Sequence, residues 1–431
     1  MNRRIESAAA TSSRAAMPRI VPIAAAGLLL VGAAMWLRSS SLVREYIWSH
    51  ASLAGLQQAI PTHESDSIAQ YYLGKRLYMA GRMAEAKEAY KAAEALDPRS
   101  GRIHLGLGMA YDQNGQYDRA QSELEEALRC DPSLAWAQFM LGKIAWDAED
   151  FPTALTHLKK AVELSPKSAQ SWYSLGACYA KLKQIDPAIS ALRTSVSLAP
   201  RDPRGITSLG ELLIYSGQGD AGAKDLEEAI RLDPSYGPAY SILGRYLFLN
   251  GETAAEKQQA QQLLERAVSM PSTGVAEVYF DLGQIYLRNR NYRAAVADLQ
   301  RSVRLDPSKE RTYYALSSAL RADGQAAAAM DTEKSLAALN KNQVQLARIQ
   351  LALRTHPDDL NRRLLLARCY RDVGRRVHAL REYAFILSRQ QLGFVDDEYH
   401  RVLADKEYAD GLNRTDYASL APQSFATAGP P

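Results

Sequence analysis

A beat of thirty-four residues constrains this chain more than any other feature. Pro98, Pro132, Pro166, Pro200 and Pro234 follow one another at that interval, and so do Gly74, Gly108, Gly142, Gly176, Gly210 and Gly244. A leucine stands immediately before each of these glycines. Ala86, Ala120, Ala154 and Ala188 fall twelve residues after theirs. Repetition at this period marks an array of small structural units, not the two to four domains that 431 residues would otherwise suggest.

Each unit reads as two helices. Leucines and aromatics recur at i, i+3, i+4 and i+7, which gives each helix one apolar stripe. A small residue at the eighth and twentieth positions lets the two helices approach closely. The closing proline disfavours the helical conformation in the residue before it, usually Asp or Ser, and so ends the second helix. A single pair cannot hide its stripe, so neighbouring pairs stack.

This unit resembles the tetratricopeptide repeat, whose pattern is W-x2-L-G-x2-Y…A-x3-F…A…P. The fourth unit carries Trp172, Leu175, Gly176, Tyr179, Ala188, Leu192 and Pro200; the first carries Leu73, Gly74, Ala86, Tyr90, Ala93 and Pro98. Frames open at Ser67, Gly101, Ala135, Ala169, Pro203 and Gly237. An insertion around Gly251–Lys257 delays the seventh to Ala276; an eighth opens at Glu310 without a closing proline, and a ninth occupies 360–393. The resemblance implies an all-α fold, an α-solenoid of about nine helix–turn–helix units wound as a right-handed superhelix. Residues 67–325 hold units one to eight, 326–359 a degenerate helical stretch, 394–411 a capping helix and 412–431 a flexible tail. The stretch 38–66 contains an apolar helical run from Leu42 to Ile60 and reads as a connecting helix or a partial repeat.

The amino-terminal segment reads as a membrane anchor. Residues 20–37 contain no charge, and Trp36, Arg19 and Arg38 stand at the borders. Eighteen helical residues span about 27 Å, close to the hydrocarbon thickness of a bilayer. Arg3, Arg4, Arg14 and Arg19 precede the run, whereas Arg38 and Arg44 follow it. That excess places the basic segment 1–19 in the cytoplasm and the array on the far side of the membrane, periplasmic or extracytoplasmic. The alternatives are a cleaved signal peptide, giving a secreted protein, and the opposite orientation.

Motifs for chemistry are lacking. The seven histidines are scattered, with neither H-E-x-x-H nor zinc-finger spacing, and there is no P-loop or dinucleotide-binding glycine signature. Cys178 and Cys369 share the tenth position of a first helix, where a small buried residue is expected. The net charge of +4 gives no case for a nucleic-acid surface. No enzyme activity, cofactor, metal or nucleic-acid partner is expected.

Function is then expected on a surface. In the family that this unit resembles, the concave groove is lined by positions 2, 5, 9 and 12 of each first helix. Carried over residue by residue, the protein-binding candidates are Tyr71, Tyr78, Trp136, Phe139, Trp146, Tyr173, Arg245, Phe248, Arg311, Tyr314, Arg321, Arg368 and Arg371. The early part is aromatic and the later part gains arginine. One reading is a groove for a protein or peptide segment with apolar anchors and acidic side chains, the latter held by arginine forks. The other is that the aromatics pack between units while the arginines pair with Glu211, Glu277, Asp281 and Asp372. Together these features describe a non-catalytic, membrane-anchored scaffold of the kind that serves envelope assembly, secretion or polysaccharide export. An accessory subunit of an enzyme complex and a self-assembling structural protein are the alternatives.

Overall fold

In most units a glycine of the first helix faces a bulky residue of its partner helix at close range, and this contact sets the hairpin. A Cβ on Gly176 would stand 2.7 Å from Leu192 Cγ, and one on Gly142 would stand 2.8 Å from Leu158 Cγ. In a close-packed interior nothing larger fits without parting the helices. The structure, a computed structural model, describes residues 40–270, 275–390 and 392–404. The basic segment 1–19, the anchor run 20–37 and the tail 412–431 lie outside the described residues, as does the end of the expected cap. Among the described residues there are twenty-one α-helices and no strand, and no helix is long and apolar enough to cross a membrane.

The chain divides into two units, the first ending at Asn114 and the second beginning at Gly115. The first contains α1 (Ser41–His50), α2 (Leu53–Ala59), a 3-10 turn (Ile60–Thr62), α3 (Ser67–Met79), α4 (Met83–Leu96) and α5 (Gly101–Gln113). The run expected as one helix from Leu42 to Ile60 is in fact broken at Ala51 and Ser52. Both residues are extended, and the Ser52 side chain accepts from Gly55 N to start α2. Trp48 joins Leu56, Ala69 and Tyr72 in a small core, and its indole Nε1 donates to Asp66 at 3.0 Å. Asp66 also caps α3 by accepting from Ile68 N at 3.0 Å.

The second unit opens with α6 (Tyr117–Cys130) and continues as seven hairpins. These are α7 (Ala135–Asp147) with α8 (Phe151–Leu164), α9 (Ala169–Lys181) with α10 (Ile185–Leu198), and α11 (Pro203–Tyr215) with α12 (Gly219–Leu232). Next come α13 (Gly237–Asn250) with α14 (Ala254–Val268), α15 (Val275–Arg288) with α16 (Tyr292–Leu305), and α17 (Glu310–Ala322) with α18 (Ala326–Thr355). The last hairpin pairs α19 (Leu360–Asp372) with α20 (Arg376–Arg389), and α21 (Gly393–Ala404) packs on it. Between hairpins the Asp-Pro-Ser turns are tied locally: Asp131, Asp233 and Asp306 each accept from the backbone and hydroxyl of the serine two residues on.

Two departures from the repeat have clear causes. Gly244 faces Leu264 and the Ala260 carbonyl as Gly176 faces Leu192 and the Ala188 carbonyl, so four of the inserted residues precede Ala260. One extends the end of α13 and three lengthen the start of α14, where Thr253 and Glu256 form a capping box. In the eighth hairpin Lys341 stands where the closing proline would fall, and α18 runs on for 30 residues without a break. Its first half serves α17; its second half, through Leu346, Ile349 and Leu353, shares a core with Leu366 and Tyr370 of α19.

In addition to contacts within hairpins, successive first helices touch: α9 with α11, α11 with α13, α13 with α15, and α15 with α17. They therefore form the inner wall of this unit's curve. The unit also meets itself at its ends. Arg381 of α20 donates to the Asp147 carbonyl at the end of α7 and lies 4.9 Å over the Tyr117 ring of α6. Beside it, His378 Nε2 stands 3.5 Å from Glu149.

Candidate protein-binding wall

Of the sequence-derived candidates, Tyr71 and Tyr78 belong to the first unit. Tyr71 is half-buried, edge-on to Tyr72 at 5.1 Å, with the Arg102 guanidinium 5.6 Å over its ring. Burial raises its hydroxyl pKa and Arg102 opposes that rise. The Tyr78 hydroxyl is pushed up to about 12 by burial, with Asp112 adding to the shift. Both therefore present neutral phenols.

The remaining candidates lie on first helices of the second unit. On α7 the Trp136 ring stacks on Phe139 at 4.7 Å, and Trp146 meets Phe151 edge-on at 5.2 Å. Trp136 and Trp146 are half-buried, but Phe139 is only 4% exposed. Phe248 on α13 is likewise buried, in a core with Leu264 and Leu282 and with Arg288 4.2 Å over its ring. The Phe139 and Phe248 side chains are thus packed in the interior of this unit. Tyr173 of α9 is half-buried, and its hydroxyl accepts from Ser208 Oγ of α11 at 3.4 Å. Tyr314 of α17 is different, with 58% of its surface exposed.

All five candidate arginines are engaged. Arg245 donates to Asp281 at 2.6 Å and approaches Glu277 at 3.7 Å; Arg311 also pairs with Glu277 and lies 4.5 Å over the Phe280 ring. Because the partners lie one repeat apart, α13, α15 and α17 are laced together along the inner wall. Asp281 is buried, which pushes its carboxyl up against the pull of Arg245. Glu211 of α11 stands solvent-accessible in the same wall, and desolvation by the surrounding protein raises its carboxyl against Arg245 and Lys181. Arg321 pairs with Glu333 of α18 at 2.6 Å. Arg368 holds Glu398 of α21 through two bonds of 2.7 and 3.1 Å, and Arg371 pairs with Asp372 at 2.8 Å and nears Glu398 at 3.7 Å. Of the two readings of these arginines, the pairs described here follow the one in which they meet nearby acids: they link successive first helices and hold the terminal helix.

Sequence reasoning missed three features. Tyr215 and Leu249, 69% and 64% exposed, occupy position 13 of α11 and α13. Their signal was available, since Asp147 and Lys181 hold that position in the two preceding hairpins. Glu398 lies outside the repeat register and had none.

Neither unit by itself, among its described residues, gathers three metal-binding side chains within ligand distance. Cys178 is buried and donates to the Phe151 carbonyl at 3.4 Å; burial pushes its thiol up to about 11. Cys369 is also buried and its thiol pKa is raised, so neither provides a ready thiolate.

Family models described as tetratricopeptide repeat match residues 77–140, residues 51–101, 139–203 and 207–269, and residues 276–309. Similar solved structures include YrrB, described as a TPR protein with an unusual peptide-binding site. It shares 23% identity over 44% of this chain and 97% of that chain, with a TM-score of 0.38. MamA shares 26% identity over 38% of this chain and 95% of its own, with a TM-score of 0.35. The Pseudomonas aeruginosa protein pilF shares 17% identity over 50% and 93%, with a TM-score of 0.43. No curated protein matches. The repeat models, the glycine-faced hairpins and their stacking lead to one conclusion: the chain belongs to the tetratricopeptide repeat family.

Proposed function

We propose that this chain is a membrane-anchored, non-catalytic scaffold that holds another protein against the first helices of its second unit. The observation that carries the reading is the exposure of Tyr215, Leu249 and Tyr314 on those helices. Large apolar side chains left in water on a stacked array favour binding sites, and tyrosine is a favoured hot-spot residue. The neighbouring arginines already have their acids, so the partner is selected by apolar anchors and not by carboxylates. Anchoring through residues 20–37 rests on their charge-free length and on the arginine excess before them. It puts the amino terminus in the cytoplasm and the repeats on the far side, and it raises the local concentration of a client at the membrane.

A photo-crosslinking residue at Tyr314 tests the binding surface, with one at Arg193 on the second-helix side as control. In the full chain in native membranes, position 314 should give a defined adduct that Tyr215→Ser with Leu249→Ser weakens. Equal yields from both positions would remove this surface from the reading. Resistance to alkaline extraction, lost when 20–37 is deleted, tests the anchor. Protease access to a carboxy-terminal tag tests the side of the membrane.

A further inference from the structure

Helix α1 wears its polarity inside out. Its two ionic side chains face the protein: Arg44 pairs with Asp66 at 3.3 Å, and Glu45 accepts from Arg102 at 2.7 Å and from the Tyr72 hydroxyl. Arg76 adds bonds to the carbonyls of Ser49 at 2.9 Å and Ala51 at 3.2 Å, and buried Trp48 closes the contact. The outward face holds Leu42, Tyr46 and Ile47, exposed by 81%, 68% and 45%, with half-buried Val43 beside them. These residues cover one contiguous side of a ten-residue helix; that side bears no acid, lysine or arginine, and its one titratable group besides Tyr46 is exposed His50 at the carboxy-terminal end, whose ring lies 4.5 Å from that of Tyr46. A surface helix in water normally has the opposite arrangement.

The sequence position of this face suggests what covers it. Residues 20–37 end four residues before Ser41. Four residue steps reach at most about 14 Å, while the polar layer of a bilayer leaflet is about 5–7 Å deep. If 20–37 spans the membrane, α1 starts within roughly a helix diameter of the lipid surface. We propose that the Leu42–Tyr46–Ile47 face of α1 lies in the interfacial layer of that membrane and fixes the orientation of the first unit against it. Leucine and isoleucine enter the acyl boundary, and the tyrosine hydroxyl stays at head-group level. This inference rests on the anchoring reading of residues 20–37.

The test uses the full-length chain carrying Cys130→Ser, reconstituted in vesicles of phosphatidylcholine and phosphatidylglycerol. Single cysteines replace Leu30, Leu42, Tyr46 or Lys91, and each carries an environment-sensitive fluorophore. Nitroxide lipids labelled near the head group or near the chain end serve as quenchers. The expected result is loss of fluorescence at Leu30→Cys with the deep quencher, and at Leu42→Cys and Tyr46→Cys with the shallow one. Lys91→Cys on α4 should lose none with either. Quenching at position 30 without quenching at 42 and 46 would overturn the α1 proposal while leaving the anchor standing. No quenching at position 30 would remove the anchor, and this inference with it.

Discussion

Glu149, Lys183 and Arg290 stand where the backbone is left-handed, at φ of 58°, 58° and 57°, in the hairpin turn that Gly115, Gly217 and Gly324 make elsewhere. An L side chain there costs roughly 1–2 kcal/mol, partly offset by the greater unfolded-state freedom of glycine. Lys183→Gly should therefore stabilise the protein by about 0.5–1 kcal/mol, read as a higher midpoint in thermal or urea unfolding. A lower midpoint would contradict the strain argument. At this scale the sequence was partly legible. The positions of the arginines, and three of their acids (Glu277, Asp281 and Asp372), could be read from the repeat register. Whether those forks were free or filled could not, because Arg368 and Arg321 are held by Glu398 and Glu333, which lie outside any groove position.

Hairpins are where the thirty-four-residue beat is most informative, since one small residue sets the distance between two helices. In the fifth unit both facing positions are glycine. A Cβ on Gly222 would collide with the Gly210 carbonyl oxygen and stand 2.8 Å from Ile214 Cγ1. Backbone gives way less than a side chain, so Gly222→Ala should cost about 1–3 kcal/mol despite its better helix propensity. An unchanged urea midpoint would show that α11 and α12 can separate freely. The terminal cap carries a pH dependence. Arg368 and Tyr383 bond the Glu398 carboxylate and hold its pKa below the usual range, against partial desolvation. A carboxyl depressed in the fold contributes stability that is complete above the unfolded pKa and is lost as pH falls through the folded one. Protection of α21 amides in hydrogen exchange, corrected for intrinsic rates, should fall on acidification below pH of about 4.3. Glu398→Gln should remove this acid sensitivity while weakening the cap at neutral pH. The element boundaries that sequence missed follow local signals weaker than the beat. Ser52 breaks the run at α1 and α2, and α13 and α14, the latter started by the Thr253–Glu256 box, absorb four inserted residues as helix and not as loop.

An ordinary solenoid touches itself only between neighbours, and its end units fray independently. The second unit adds a contact 234 residues apart in sequence, from Arg381 to Asp147. Arg381→Ala should speed amide exchange in α20 and in the 148–150 turn together, while leaving α11 to α14 unchanged. Exchange that rises in α20 alone would mean that this contact transmits nothing. No periodicity could have announced it, because closure depends on curvature accumulated over seven hairpins, whereas the pattern reports only one hairpin and the next. A polypeptide lodged along the inside of this unit would then be threaded and not laid in from the flank. If folded bulk flanked it on both sides, its escape would wait for Arg381 to let go, making residence time a property of the latch.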